Sequence, residues 1–291
     1  MSIGIAPPGF RLPGATRIGQ VSLQVSDLSR SVWYYERVLG LHVIQQDTDS
    51  ASLGAGKDKS AIIHLEEKPG ARAVPRRGLL GLYHFAVLLP DRAALGRFVS
   101  HLSEIGERAG MSDHLVSEAI YLSDPDGLGI EVYADRPRDT WAIANGQIAM
   151  ATKPLDVDDL IAAARGERWS GAPSGTTIGH VHFHVGDIEQ AASFYHAALG
   201  MDKIVWNYPG ALFLSAGGYH HHVGTNTWAA GSAVATDEDA RLLHWELILP
   251  EDGSLDSAEQ SIAGAGFTVK REDGFLSATD PWDIRVRLRS P

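Results

Sequence analysis

A stretch of 17 residues recurs 160 positions further along the chain. VSDLSRSVWYYERVLGL (Val25 to Leu41) is matched by VGDIEQAASFYHAALGM (Val185 to Met201), which pairs Asp27 with Asp187, Tyr35 with Tyr195 and Gly40 with Gly200. The same offset pairs His84 with His244 and Pro90 with Pro250. A repeat limits the fold more than composition does, because whatever one copy forms the other forms as well. The chain therefore divides into two homologous halves, 17–136 and 177–291. An arm at 1–16 precedes them, and a connector of mixed helical and loop character at 137–176 separates them.

Each half divides again. A strand-like run (IGQVSLQV, GLYHFAVLLP, IGHVHFHV and LLHWELILP) precedes each of four helix candidates, with Asp or Ser at the junction to serve as N-cap. The helices are expected to end at Gly40, Gly106, Gly200 and Gly266, since a C-terminal glycine accepts the left-handed conformation that closes a helix. Short β-type runs follow each helix, among them AIIHLEE, EAIYL, GIEVYAD and GALFLSA. The pattern predicts an α+β chain of four βαβββ modules, at 17–68, 78–136, 177–228 and 239–291.

Composition narrows the chemistry. With no cysteine, thiolate nucleophiles, disulfides and Cys-ligated metals are excluded, so a metal would have to bind through His, Asp or Glu. Thirteen histidines supply that possibility, several in tight groups. A formal charge of −11 without a Lys/Arg cluster argues against nucleic acid or an anionic membrane as partner. The longest apolar runs fall short of the roughly 20 residues that a membrane span requires. The Gly/Pro-rich start reads as a loosely held arm rather than an export signal, so a cytoplasmic location is expected. The oligomeric state is left open, a homo-oligomer included.

Four βαβββ modules resemble the vicinal-oxygen-chelate superfamily, which includes glyoxalases, bleomycin-resistance proteins and extradiol dioxygenases; the resemblance covers most of residues 17 to 289. It implies that paired modules curl into two open, barrel-like mixed sheets around a metal or ligand site. The stretch HLVSEAIYLSDPDGLGIE (His114 to Glu131) is similar to the extradiol ring-cleavage signature, and departs from it at Ser112, two residues before its start. Asp124-Pro125-Asp126-Gly127 is a turn sequence, and it would hold Tyr121 and Glu131 in fixed register on the strands it joins.

By that resemblance the metal would be Fe(II), or Mn(II), on two histidines and a carboxylate, with the opposite face open. Glu131 supplies the carboxylate and His84, on the opening strand of its own module, one imidazole. The third ligand depends on module pairing. Pairing with the first module offers Gln20, whereas pairing with the third offers His180 and alone completes the set. The same alignment sets His244 beside Arg287 in the fourth module, where an arginine cannot ligate a metal. Strand alternation puts His182 and His184 on the face of His180. His221, with His222 next, falls where the family carries a proton-transferring histidine, while His114 and Tyr121 would hydrogen-bond the substrate oxygens. The implied partners are O2 and a small catechol- or hydroquinone-like diol. Two other functions suit the same fold. One is a glyoxalase-like isomerase or lyase on Zn(II) or Ni(II), with a fourth ligand near His64 or His222; the other is a non-catalytic protein that sequesters an aromatic compound.

Overall fold

The strands that open the four modules lie at the centres of two eight-stranded sheets in the computed structural model, which describes residues 3–250, 253–272 and 274–290. The first module consists of β1 (Arg17–Val25), α1 (Leu28–Arg37), β2 (His42–Gln46), β3 (Ser50–Gly54) and β4 (Ile63–Glu67). The second has β5 (Gly81–Leu88), α2 (Arg92–Ile105), β6 (Gly110–Asp113), β7 (Ser117–Ser123) and β8 (Gly129–Asp135). The 137–176 segment carries a small hairpin, β9 (Ile143–Ala144) and β10 (Gln147–Ile148), and the short helix α3 (Val157–Ala163). The third module has β11 (Thr177–His184), α4 (Ile188–Ala192, continued by a π-helical stretch Ser193–Ala198), β12 (Asp202–Val205), β13 (Ala211–Ser215) and β14 (Val223–Asn226). The fourth has β15 (Arg241–Ile248), α5 (Gly253–Gly264), β16 (Val269–Glu272), β17 (Phe275–Thr279) and β18 (Arg285–Arg289). No helix among the described residues is long and apolar enough to cross a membrane.

Pairing runs across the sequence halves. One sheet has the order β16-β17-β18-β15-β1-β4-β3-β2 and joins the fourth module to the first; the other, β12-β13-β14-β11-β5-β8-β7-β6, joins the third to the second. In both, the two opening strands are antiparallel neighbours, and each is flanked by the last strand of its own module running parallel to it. The modules are thus related by a repeated topology as well as a repeated sequence.

Local chemistry explains the elements. Asp27, Asp91 and Asp187 each accept a hydrogen bond from the backbone N–H three residues on, which satisfies a donor that the helix start leaves orphaned. The fourth junction includes residues 251 and 252, outside the described residues. Gly106 takes φ 73° and Gly200 φ 89°, the left-handed closure expected after a helix. The N-terminal arm is fastened, not loose: Ile5 bridges Lys203, Leu12 is buried, and Arg11 forms a 2.7 Å ion pair with Asp202.

Alternation along the central strands separates two environments. Phe85 and Val87 of β5, Ile130 and Val132 of β8 and Val181 and Phe183 of β11 enter the apolar core with Leu23, Tyr35 and Trp245. Each large apolar side chain so buried stabilises the fold by roughly 1.5–3 kcal/mol. The intervening residues, His84, Glu131 and His180 among them, fall on the other face of the second sheet, which is therefore the face where chemistry can be placed.

Candidate metal centre

Three adjacent strands, β11, β5 and β8, bring the donors together. Across them His180, Ala86 and Glu131 stand in one row, and His84 lies two residues before Ala86 on the same face. Because the middle position carries only the methyl group of Ala86, the longer flanking side chains can converge above it. The row depends on a bulge at Gly179, between the paired positions Ile178 and His180. A Cβ on Gly179 would stand 1.8 Å from the Tyr133 hydroxyl oxygen, so no larger residue fits this close approach.

His84 Nε2 and His180 Nε2 lie 3.0 and 3.2 Å from the same Glu131 oxygen, Oε2, and the three ligand atoms are all within 4.8 Å of one another. All three side chains are buried. Both ring nitrogens of His84 and Nδ1 of His180 lack a hydrogen-bond partner among the described residues. Buried polar groups are normally satisfied, and three unpartnered imidazole nitrogens around a buried carboxylate that both rings approach suit a divalent cation. The donor set fits the two-His-one-carboxylate arrangement of non-haem Fe(II) oxygenases, which leaves one face of the metal open.

The electrostatics are those of a ligand set ready to bind. Burial pushes the Glu131 carboxyl up, but His180 and His84 beside it outweigh burial and hold it well below the usual range. Burial lowers His180 to about 4, against the opposing pull of Glu131. At neutral pH Glu131 is therefore an anion, the form that ligates a cation.

Beside the donors lies a cavity of about 270 Å³. His84, Glu131, Tyr121, His114, His182 and His221 line it. Tyr121 sits opposite Glu131 on neighbouring β7. His114 donates from Nδ1 to the Ala151 carbonyl (2.9 Å), so its Nε2 accepts the 2.6 Å hydrogen bond from the Tyr121 hydroxyl. Burial, then the charge of Glu131, raise the Tyr121 phenol well above its ordinary pKa, so it stays protonated. His182 Nε2 accepts from the Asn226 amide at 3.0 Å. His221 packs against His180 with ring centroids 4.0 Å apart, and its Nε2 is buried without a partner.

The remaining histidines fall elsewhere. His222 faces a different cleft, shared with Arg138 and Tyr219, and its Nδ1 accepts from the Ala216 backbone N–H at 3.2 Å. His184 bonds Asn226 at 2.7 Å and borders an adjoining groove that shares Tyr83, His84 and Tyr121 with the cavity. His64 lies on β4 of the other sheet, and His244 on β15 there, where its Nε2 accepts from Arg287 at 3.2 Å. Neither His64 nor His222 joins the donor group, which has three members among the described residues. Several wall residues carry no signal in the sequence. Tyr83, Phe213 and Trp228 supply aromatic surface, and Met150, Ala151 and Thr152 reach in from the connector. Tyr83 alone could have been noticed, as the neighbour of His84 on an identified strand.

Comparison with known proteins places the chain in a family. The family model described as the Glyoxalase/Bleomycin resistance protein/Dioxygenase superfamily matches residues 17–132 and 177–285. The chain is 43% identical over 270 residues to a catechol-2,3-dioxygenase of Bacillus subtilis (strain 168), covering 91% of this chain and 94% of that protein. Among solved structures, a provisionally assigned dioxygenase from Bacillus subtilis subsp. subtilis str. 168 is similar with a TM-score of 0.64 at 14% identity, covering 96% of this chain and 86% of the other. Glyoxalase I from Zea mays is similar with a TM-score of 0.55 at 17% identity, covering 94% and 92%. At these identities the structural likeness is one of fold.

Proposed function

The chain belongs to the glyoxalase/bleomycin resistance protein/dioxygenase superfamily, and from that premise we propose that it is an extradiol ring-cleaving dioxygenase. It inserts O2 into a catechol- or hydroquinone-like diol at a divalent metal, Fe(II) or Mn(II), held by His84, Glu131 and His180. The observation that carries this reading is the convergence of three buried donors on one point beside a cavity, with no fourth His, Asp or Glu in the group among the described residues. The relative at 43% identity, itself named a catechol-2,3-dioxygenase, supports the same reaction class.

When bound, such a metal would supply a meeting point for the diol and O2, through which electrons pass from one to the other. The protein's own residues do the rest. The lone pair of His221 Nε2, unpartnered at the cavity, accepts a proton from a diol hydroxyl. With its proton committed to His114 Nε2, the Tyr121 oxygen presents lone pairs that accept from a substrate O–H. Phe213, Trp228 and Tyr83 form aromatic walls that hold a planar ring and keep out water. His114 acts through Tyr121, as a positioning residue.

The test is an aerobic assay of Fe(II)-loaded and of Mn(II)-loaded protein against a panel of catechols and hydroquinones, following O2 consumption together with the absorbance of ring-opened product. The proposal expects both signals in step for at least one diol. Silence across the panel, with bound metal verified in the same samples, would overturn it.

A further inference from the structure

The His220-His221 pair carries more than one proton acceptor. Strand alternation on β8 puts Glu131, Tyr133 and Asp135 on one face, so the strand that supplies the candidate metal carboxylate also ends in a second carboxylate at the next cleft. Asp135 Oδ1 accepts two hydrogen bonds, from His220 Nε2 (2.9 Å) and from the Tyr219 hydroxyl (3.2 Å). The Tyr219 hydroxyl in turn accepts from Tyr133 at 2.6 Å. His220 Nδ1 is 2.8 Å from His221 Nδ1, and both rings are buried, at 0% and 4% exposure.

A carboxylate accepts only, so a neutral His220 spends its one N–H, on Nε2, on Asp135. Its Nδ1 is then the acceptor, and the hydrogen in the short contact between the rings belongs to His221 Nδ1. That leaves His221 Nε2 as a bare lone pair at the cavity, where no partner meets it among the described residues. The proton position on an imidazole is set by the bond its other nitrogen makes, and here that bond is dictated two residues away from the cavity.

We infer that Asp135 and His220 are positioning residues that lock His221 in the Nδ1–H tautomer, so that Nε2 faces the cavity as an acceptor. The role given to that acceptor rests on the dioxygenase reading above; the tautomer itself does not. In the opposite tautomer His221 would present an N–H to a diol hydroxyl and could not take its proton.

The experiment is a long-range 1H–15N correlation spectrum of the full-length, 15N-histidine-labelled protein kept metal-free with a chelator. The His221 signals are assigned by their loss in His221→Gln. The inference expects the parent to show His221 as the Nδ1–H tautomer. His220→Phe, which keeps a ring but removes the acceptor, should convert His221 to the Nε2–H form or a mixture, whereas His220→Asn, whose amide oxygen can accept, should retain the parent state. If His220→Phe does not fold, Asp135→Ala at the edge of its cleft makes the same test and should make the second tautomer detectable. In metal-loaded protein turning over a diol, His220→Phe should lower kcat by about 10- to 100-fold with KM little changed, and His220→Asn should restore most of it. A parent His221 in the Nε2–H form, or a tautomer indifferent to both His220→Phe and Asp135→Ala, would overturn the inference. Absence of turnover with the expected tautomers would instead count against the dioxygenase reading alone.

Discussion

Glu131 is the residue on which the site turns, since its Oε2 is the atom that both histidines approach. Glu131→Gln keeps the shape and removes the charge, and it should weaken divalent-metal affinity by at least about 100-fold, read by titration with Fe(II) under anaerobic conditions. Unchanged affinity would mean that Glu131 is not a ligand. Tyr121→Phe should leave metal content intact yet lower kcat by roughly 10- to 100-fold, because it removes the hydroxyl oxygen that His114 orients; steady-state kinetics beside a metal analysis separates the two effects. At this scale the sequence was most readable where residues of unusual chemistry stand at fixed spacing. His114, Tyr121 and Glu131 all lie in one 18-residue stretch, and the structure brings all three to one cavity. Met150, Ala151 and Thr152 were not readable, because a connector backbone acquires its place only by docking against modules distant in sequence. The histidine triplet was readable as chemistry but not as direction: His221 turns to the cavity, His222 to another cleft, and His220 lies between them.

Among the elements, the β7–β8 turn does more than connect strands. The Asp124 carboxylate accepts from the backbone N–H groups of Asp126 and Leu128 and from the Tyr35 hydroxyl, which ties the turn to α1 of the first module. Asp126 accepts from Ser26 and Arg30 on the same side. Burial nonetheless pushes Asp124 up to about 7 from its ordinary 3.8. A carboxyl that holds its proton more tightly when folded stabilises the fold below its unfolded pKa and loses that contribution as pH rises through its folded value. Parent stability relative to Asp124→Asn should therefore decline between about pH 4 and pH 7, by at most about 4 kcal/mol; urea midpoints of the two proteins across that range would show it, and a flat difference would contradict it. The bulge at Gly179 is the other sensitive element. Gly179→Ala drives a methyl into Tyr133 and should cost roughly 2–4 kcal/mol while shifting His180 off its row, measurable as a lower thermal midpoint together with weaker metal binding. Helix starts were legible from their aspartates because N-capping is a local bond. The bulge was not, since a glycine in a strand does not declare which neighbour crowds it.

For the whole molecule, the repeat foretold four modules but not their partners, because homologous halves can pair within themselves or across. The structure pairs second with third and first with fourth. That choice gives the two sheets opposite chemistry at equivalent positions. Where the second sheet has His84, Glu131 and His180, the repeat offset and the strand register put His244, Arg287 and Gln20 in the first. There Arg287 donates to His244 at 3.2 Å, and burial with the arginine's charge lowers His244 to about 3. A cation in the place of the carboxylate closes that site to metal, so among the described residues the duplicated fold keeps a single candidate centre, with the other copy as scaffold. Metal content per chain, measured after saturation with Fe(II) and desalting, tests this most directly in three proteins: the parent, His180→Ala and His244→Ala. One ion per chain is expected in the parent and in His244→Ala, and near none in His180→Ala. Retention of the ion by His180→Ala, or its loss from His244→Ala, would contradict a centre shared by the second and third modules.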